Sequence, residues 1–187
     1  MAHRIIILAS GAGTLAQAII DSQDLDIEIV AVISDHVDAP VLARAKACAI
    51  ACEVIAMTSP RQLWDAHMIE KVAGYKPDLV VSTGFMRILP PEFVNRFPTI
   101  NIHPALLPNF PGAHAVRDAL AAGVRVTGTT VHWVDTGIDT GPVITQIEVP
   151  VLVGDDEHAL HERIKKVERG LIVATLALIL PTLEHNA

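Results

Sequence analysis

The chain has 187 residues, 51% hydrophobic and 19% charged, with a formal net charge of −7. That length suits one domain with a core that needs no disulfides, and the apolar excess fits parallel strands buried on both faces. The acidic balance and the lack of any basic run argue against a nucleic-acid surface, while a small anion held by a local positive site stays open.

Ile5 to Ala9 reads as a buried β-branched strand, and Gly11 and Gly13 cut it off. The run is too short for a signal sequence or a membrane span, so the chain reads as cytoplasmic. It leads into Ser10-Gly11-Ala12-Gly13-Thr14 and then a helical pattern through Leu15, Ala18 and Ile19. Strand, glycine turn and helix is an arrangement in which backbone N–H groups receive an anion. Ala16 stands where the dinucleotide fingerprint needs its third glycine. A phosphate on a smaller ligand, with the Thr14 hydroxyl as a donor, is the functional reading; a tight turn without ligand is the alternative.

Ile27 to Ser34 is a second buried strand, followed by a helix from about 39 to 49 and a short strand near 53 to 56. Cys48 and Cys52 have no further thiols beside them, so no metal set is expected and both read as thiols of a reducing compartment. Ser59-Pro60 predicts a helix start, with Ser59 as N-cap and Pro60 at the first helical position. Arg61 in that first turn gains nothing from the helix dipole, so it is either incidental or reaching for a ligand. Asp78 to Ser82 is the fourth strand. The loop after it holds Phe85, Met86, Ile88 and Leu89 where polar turn residues are the norm. It is either an apolar wall for a flat ligand or a loop packed under the next helix.

Asn101 and His103 end the fifth strand, two residues apart and so on one face, before Pro104 stops ladder pairing. Prolines 104, 108 and 111 stiffen the next loop. A helix from 113 to 122 follows, then a strand from 125 to 134 with Val126, Gly128, Thr130 and His132 on one face. His132 reads as a structural histidine. Asp135 to Pro142 is a turn or a functional loop, and Asp139 precedes the next strand from a position that can face Asn101 and His103. The oxygen ligands of this loop are too few for an EF-hand-like calcium site. The last helix, from about 156 to 183, shows an apolar stripe of Leu160, Ile164, Val167, Leu171, Ala174 and Leu178. Glu168 falls at the edge of that stripe, where a carboxylate needs Lys165 or a ligand hydroxyl as partner. No repeat or linker interrupts the chain, and residues 1–187 read as one α/β domain.

Asn101-Ile102-His103-Pro104-Ala105-Leu106-Leu107-Pro108, Pro111-Gly112, the strand Gly128 to His132 and the turn Asp139-Thr140-Gly141-Pro142 together resemble the phosphoribosylglycinamide formyltransferase family. The resemblance runs over nearly the whole chain. It implies a Rossmann-like open twisted sheet, mostly parallel, with helices on both faces. The amino-terminal part would bind the substrate phosphate, and the carboxyl-terminal part would bind folate and carry the chemistry. It implies formyl transfer from 10-formyltetrahydrofolate to the amine of phosphoribosylglycinamide in purine biosynthesis, with small-molecule partners, no metal, no nucleic acid, no membrane, and room for a homodimer.

By the same resemblance the catalytic residues are Asn101, His103 and Asp139. Substrate contacts fall on Gly13, Thr14, Leu15 and Glu168. Folate contacts fall on Arg61, Met86, Arg87, Ile88, Leu89, Asn101, Asp135, Thr136, Gly137, Ile138 and Asp139. Leu15 departs from the many members that carry Asn there, which removes a side-chain donor. The substrate amine is itself the nucleophile, so no Ser or Cys is required. Asn101 and a protonated His103 would face the oxyanion, and an Asp139 carboxylate would favour that imidazolium and help relay the proton. A formyltetrahydrofolate hydrolase shares the trio, and methionyl-tRNA formyltransferase shares part of the motif set. Both typically carry a further domain that this length does not provide for, and the tRNA enzyme also needs a basic face. A phosphosugar-binding protein without chemistry is the remaining alternative, against which the intact trio speaks.

Overall fold

A computed structural model describes residues 2–183. Seven strands form one sheet in the order β3-β2-β1-β4-β5-β6-β7. They are β1 His3–Leu8, β2 Ile27–Ser34, β3 Cys52–Val54, β4 Leu79–Ser82, β5 Thr99–His103, β6 Val126–Trp133 and β7 Val143–Pro150. Pairing from β3 through β5 is parallel, and β5–β6 and β6–β7 are antiparallel. The expected mostly parallel open sheet is therefore present, with an antiparallel hairpin added on the β5 side.

Alternation along the strands sorts the core into two layers. Ile5, Ile7, Val32, Leu79, Val81, Ile100 and Ile102 pack under α1 (Thr14–Ile20), α2 (Pro40–Ala47) and the carboxyl-terminal half of α6 (Glu157–Ile179). Ile6, Leu8, Ile33 and Val80 face α3 (Arg61–Tyr75) and α4 (Pro91–Arg96), whose Trp64, Met68 and Phe93 are fully buried. With strands covered on both faces, the continuous apolar runs need no polar alternation. A third cluster joins α5 (Ala115–Ala121) to α6 through Val116, Leu160 and Ile164.

Three local expectations change. Helix α3 begins at Arg61 with Pro60 as N-cap and no side-chain cap, so Ser59 does not cap it. The stripe on α6 is Leu160, Ile164, Glu168, Leu171, Ile172, Thr175, Leu176 and Ile179, while Ala174 and Leu178 are exposed. Leu178 lies five full turns from Leu160 and so on the same helix face, but the two halves of α6 bury different faces: Leu160 and Ile164 pack on α5 and β7, while Ile172, Leu176 and Ile179 turn to α1 and the sheet. Glu168 falls between these two contact faces, at the centre of the buried surface and not at its edge. Finally, the helix ends at Ile179 and passes into a 3-10 turn, Leu180–Thr182, short of the expected 183.

The chain order reverses beside β1. It steps outward from β1 to β2 to β3, then returns to place β4 on the other side of β1. Loops leaving adjacent strands in opposite directions open a crevice at their carboxyl ends, and ligands of open α/β sheets bind there.

Candidate active site

The crevice is a cleft of about 660 Å³. Its lining comes from the glycine turn after β1, the loop after β4, the end of β5, the loop before α5, the Asp135–Asp139 loop and one face of α6. Exposed apolar side chains, which cost little if a ligand covers them, converge on it: Met86 is 64% exposed, Ile88 59% and Ile138 54%.

At the amino-terminal end, Gly13 takes φ 71°, and a Cβ there would run into Val41 of α2. Only glycine serves at both counts. Gly13 is also the N-cap of α1 and offers no side-chain cap, so the first N–H groups of that helix lack an intrahelical partner where Gly13, Thr14 and Leu15 line the cleft. The Leu15 side chain turns into the core beside Ala16 and Ile19. Its contribution to the cleft is therefore its backbone, and the missing amide donor of this position is replaced by core packing.

At the chemical end, β5 presents Asn101 and His103 on one face, and the antiparallel register sets His132 directly opposite Asn101. Asn101 Nδ2 lies 3.3 Å from His132 Nε2. His132 Nδ1 is 2.9 Å from the Trp133 carbonyl, which leaves Nε2 to meet Asn101 and Asp139. Asp139 closes the group: Oδ2 is 3.4 Å from His103 Nδ1, and Oδ1 is 3.5 Å from His132 Nε2. The Gly112 N–H donates to Asp139 Oδ2 at 2.8 Å. His103 Nε2 reaches the Phe110 carbonyl at 2.8 Å. Both ring nitrogens of His103 thus face oxygen acceptors, and only the imidazolium has a hydrogen for each.

Burial is the largest influence on the Asp139 carboxyl and opposes its charge. The hydrogen bond from His132, the Gly112 N–H and the nearby charges of His103 and His132 outweigh it, so the carboxyl sits below its ordinary range. Asp139 itself adopts φ 54°, a left-handed conformation its short side chain tolerates. Gly141, two residues on, is pressed so closely on the Trp133 carbonyl that a Cβ would overlap it. The D-x-G-P spacing thereby gains a mechanical reason: glycine lets the turn fold back and aim Asp139 at β5.

Glu168 is 3% exposed and lines the cleft from α6. Burial dominates its titration and lifts its carboxyl to about 7, against the smaller opposing pull of Thr129, Lys165 and Arg169. Thr129 Oγ stands 3.3 Å from Glu168 Oε1. Lys165, the partner weighed from the sequence, instead donates to Glu162 at 2.9 Å.

Most of the residues singled out from the sequence line this cleft: Gly13, Thr14, Leu15, Met86, Arg87, Ile88, Leu89, Asn101, His103, Asp135, Gly137, Ile138, Asp139 and Glu168. Arg61 and Thr136 stand outside the lining. The Arg61 guanidinium bonds the Ile88 carbonyl and the Asp65 carboxylate from behind the wall. Asp135 accepts from the Gly137 N–H and the Thr140 hydroxyl, so it shapes its loop from within. His132 is the residue whose place the sequence reading misses, since the sequence marks it as a structural histidine. Its burial at 2% fits a structural histidine, and its contacts with Asn101 and Asp139 also join it to their cluster. The signal for it is strand register, which the sequence does not print.

The Formyl transferase family profile matches residues 3–176. A phosphoribosylglycinamide formyltransferase of Mycobacterium tuberculosis (strain ATCC 25618 / H37Rv) is 49% identical, over 94% of this chain and 84% of its own length. One from Escherichia coli (strain K12) is 40% identical, over 89% of this chain and 82% of its own. Among solved structures, glycinamide ribonucleotide transformylase 1 from Symbiobacterium toebii superposes with a TM-score of 0.90 at 39% identity, covering 94% of this chain and 86% of that one. Sequence, fold and cleft agree, and the chain belongs to the formyl transferase family, in its phosphoribosylglycinamide formyltransferase branch.

Proposed function

We propose that this chain transfers the formyl group of 10-formyltetrahydrofolate to the amine of 5-phosphoribosylglycinamide, giving formylglycinamide ribotide and tetrahydrofolate in purine biosynthesis. The observation that carries the reading is the meeting of Asn101, His103 and Asp139 in one cleft. The folate cosubstrate supplies an activated formyl carbon. Its flat ring system fits the apolar walls of Met86, Ile88 and Ile138, and Arg61 braces that wall through the Ile88 carbonyl. The substrate phosphate takes the N–H groups of Thr14 and Leu15, and the buried Glu168 carboxylate accepts from the ribose hydroxyls.

In this assignment Asn101, oriented by His132, donates toward the oxygen that gains charge as the amine attacks. His103 Nε2 donates to the same oxygen in place of the Phe110 carbonyl that it now holds. Removing one such donor typically lowers kcat by roughly 10²–10³. Asp139 keeps the positive ring in place. Being a weak base, it passes the amine proton onward, through water, to the leaving nitrogen and does not retain it. The amino-terminal part binds phosphate and the carboxyl-terminal part binds folate, within one domain working in the cytoplasm; a homodimer fits the reading. No helix among the described residues is long and apolar enough to cross a membrane.

A single-pot assay with both substrates tests the reading. Formylglycinamide ribotide accumulating in step with tetrahydrofolate is the expected result. Release of free formate alone overturns it in favour of hydrolysis.

A further inference from the structure

The loop from Gly84 to Ile88 has no regular secondary structure, yet it is tied at four points. Ser10 N–H donates to the Gly84 carbonyl at 3.1 Å, and Met86 N–H donates to Ser10 Oγ at 2.8 Å. Arg87 Nε donates to Asp35 Oδ2 at 2.6 Å, and Arg61 holds the Ile88 carbonyl. Two of the anchors stand at the strand ends on the phosphate side of the cleft: Ser10 opens the glycine turn, and Asp35 directly follows β2.

The Asp35 side chain is wholly buried, while Arg87 is 31% exposed. Burial is the largest influence on the Asp35 carboxyl and opposes its charge. Hydrogen bonds from Ser10 and Arg87, with lesser help from its own backbone and His36, outweigh it and hold the carboxyl below its ordinary range. Asp35 itself does not line the cleft. A buried ion pair is a poor source of net stability because desolvation offsets its attraction, and its best use is to fix one geometry. The loop needs fixing. Met86 and Ile88 turn outward into the cleft, so core packing secures only its flanks, Phe85 and Leu89.

We propose that Asp35 is a positioning residue for the folate cosubstrate: through Arg87, and with Ser10, it locks the Met86–Leu89 wall to the turn that holds the substrate phosphate. The inference rests on the folate reading of that wall. Releasing the lock lets the loop occupy other conformations, and affinity falls by the fraction of time the wall is in place. A wall in place about a tenth of the time weakens binding about tenfold.

The test measures tetrahydrofolate affinity by calorimetry, and KM for both substrates, in the parent, Asp35→Asn, Arg87→Met and the double variant. Expected is a roughly tenfold loss of tetrahydrofolate affinity in each single variant and no further loss in the double variant. The folate KM rises while the phosphoribosylglycinamide KM stays within about twofold. Unchanged affinity in the single variants overturns the proposal, as do losses that multiply in the double variant or a parallel rise of both KM values. Arg87 itself lines the cleft, so if Asp35→Asn does not fold, Asp35→Ser takes its place in the series. A parent that fails to bind tetrahydrofolate rejects the folate reading itself, an outcome distinct from parent-like binding by the variants.

Discussion

Glu168→Gln is expected to make the protein more stable and a worse enzyme. The folded carboxyl titrates at about 7 against an ordinary 4.5 because α6 buries it. At 1.36 kcal/mol for each tenfold change, that difference is worth about 3 kcal/mol. A carboxyl raised in this way stabilises the fold fully below its unfolded value, and the contribution is lost as pH rises through about 7. At pH near 8 the ligand-free protein therefore carries a buried charge that glutamine relieves. Urea unfolding between about pH 5 and 8 measures it: the parent declines toward the alkaline end by up to about 3 kcal/mol, and Glu168→Gln stays flat. Binding moves the other way. Hydrogen bonds from ribose hydroxyls to a carboxylate are worth about 1.5–3 kcal/mol each, so losing the charge raises the substrate KM by one order of magnitude or more. Parallel pH profiles of stability for parent and variant would refute the reasoning, because they would mean that Glu168 titrates normally in the fold.

Asp139→Asn is expected to lower kcat by roughly 10²–10⁴ with little change in either KM, measured by steady-state formyl transfer. Because the Asp139 carboxyl is held below its usual range, its stabilising contribution is present above the ordinary carboxylate value and is lost as pH falls through the lowered one. Leu15→Ala should cost about 2–5 kcal/mol of stability, since Leu15 belongs to the core, and leave the substrate KM near that of the parent in the cold. A large KM change without a stability change would place the side chain in the phosphate site instead. Gly13→Ala should lose at least about 1–2 kcal/mol from its left-handed backbone and displace α2 at Val41, lowering the melting temperature and raising the substrate KM together.

Much of the site was legible in the sequence because it is built at strand ends, where period-two alternation and proline mark position. Asn101 and His103 share a face for that reason, and Pro104 shows where the strand stops. The glycine turn could be placed because glycines at that spacing after an apolar run have few other uses. Residues whose meaning depends on distant partners were harder. Arg61 reads as a ligand contact or an accident, and the fold gives it the Ile88 carbonyl as partner.

The sequence by itself determined the order of strands and helices, their burial on both faces, and the two polar groups at the end of β5. These follow from local patterning, which each short segment carries whole. Only the tertiary structure decided that His132 stands opposite Asn101, because antiparallel register is a relation between strands 31 residues apart. It alone put Glu168 at the centre of a buried face, where desolvation lifts its carboxyl to about 7 against the opposing hydrogen bond of Thr129. It alone turned Leu15 into the core and tied Arg87 to Asp35 across 52 residues. Charge, burial and register are properties of neighbourhoods, and the chain has to fold before those neighbourhoods exist.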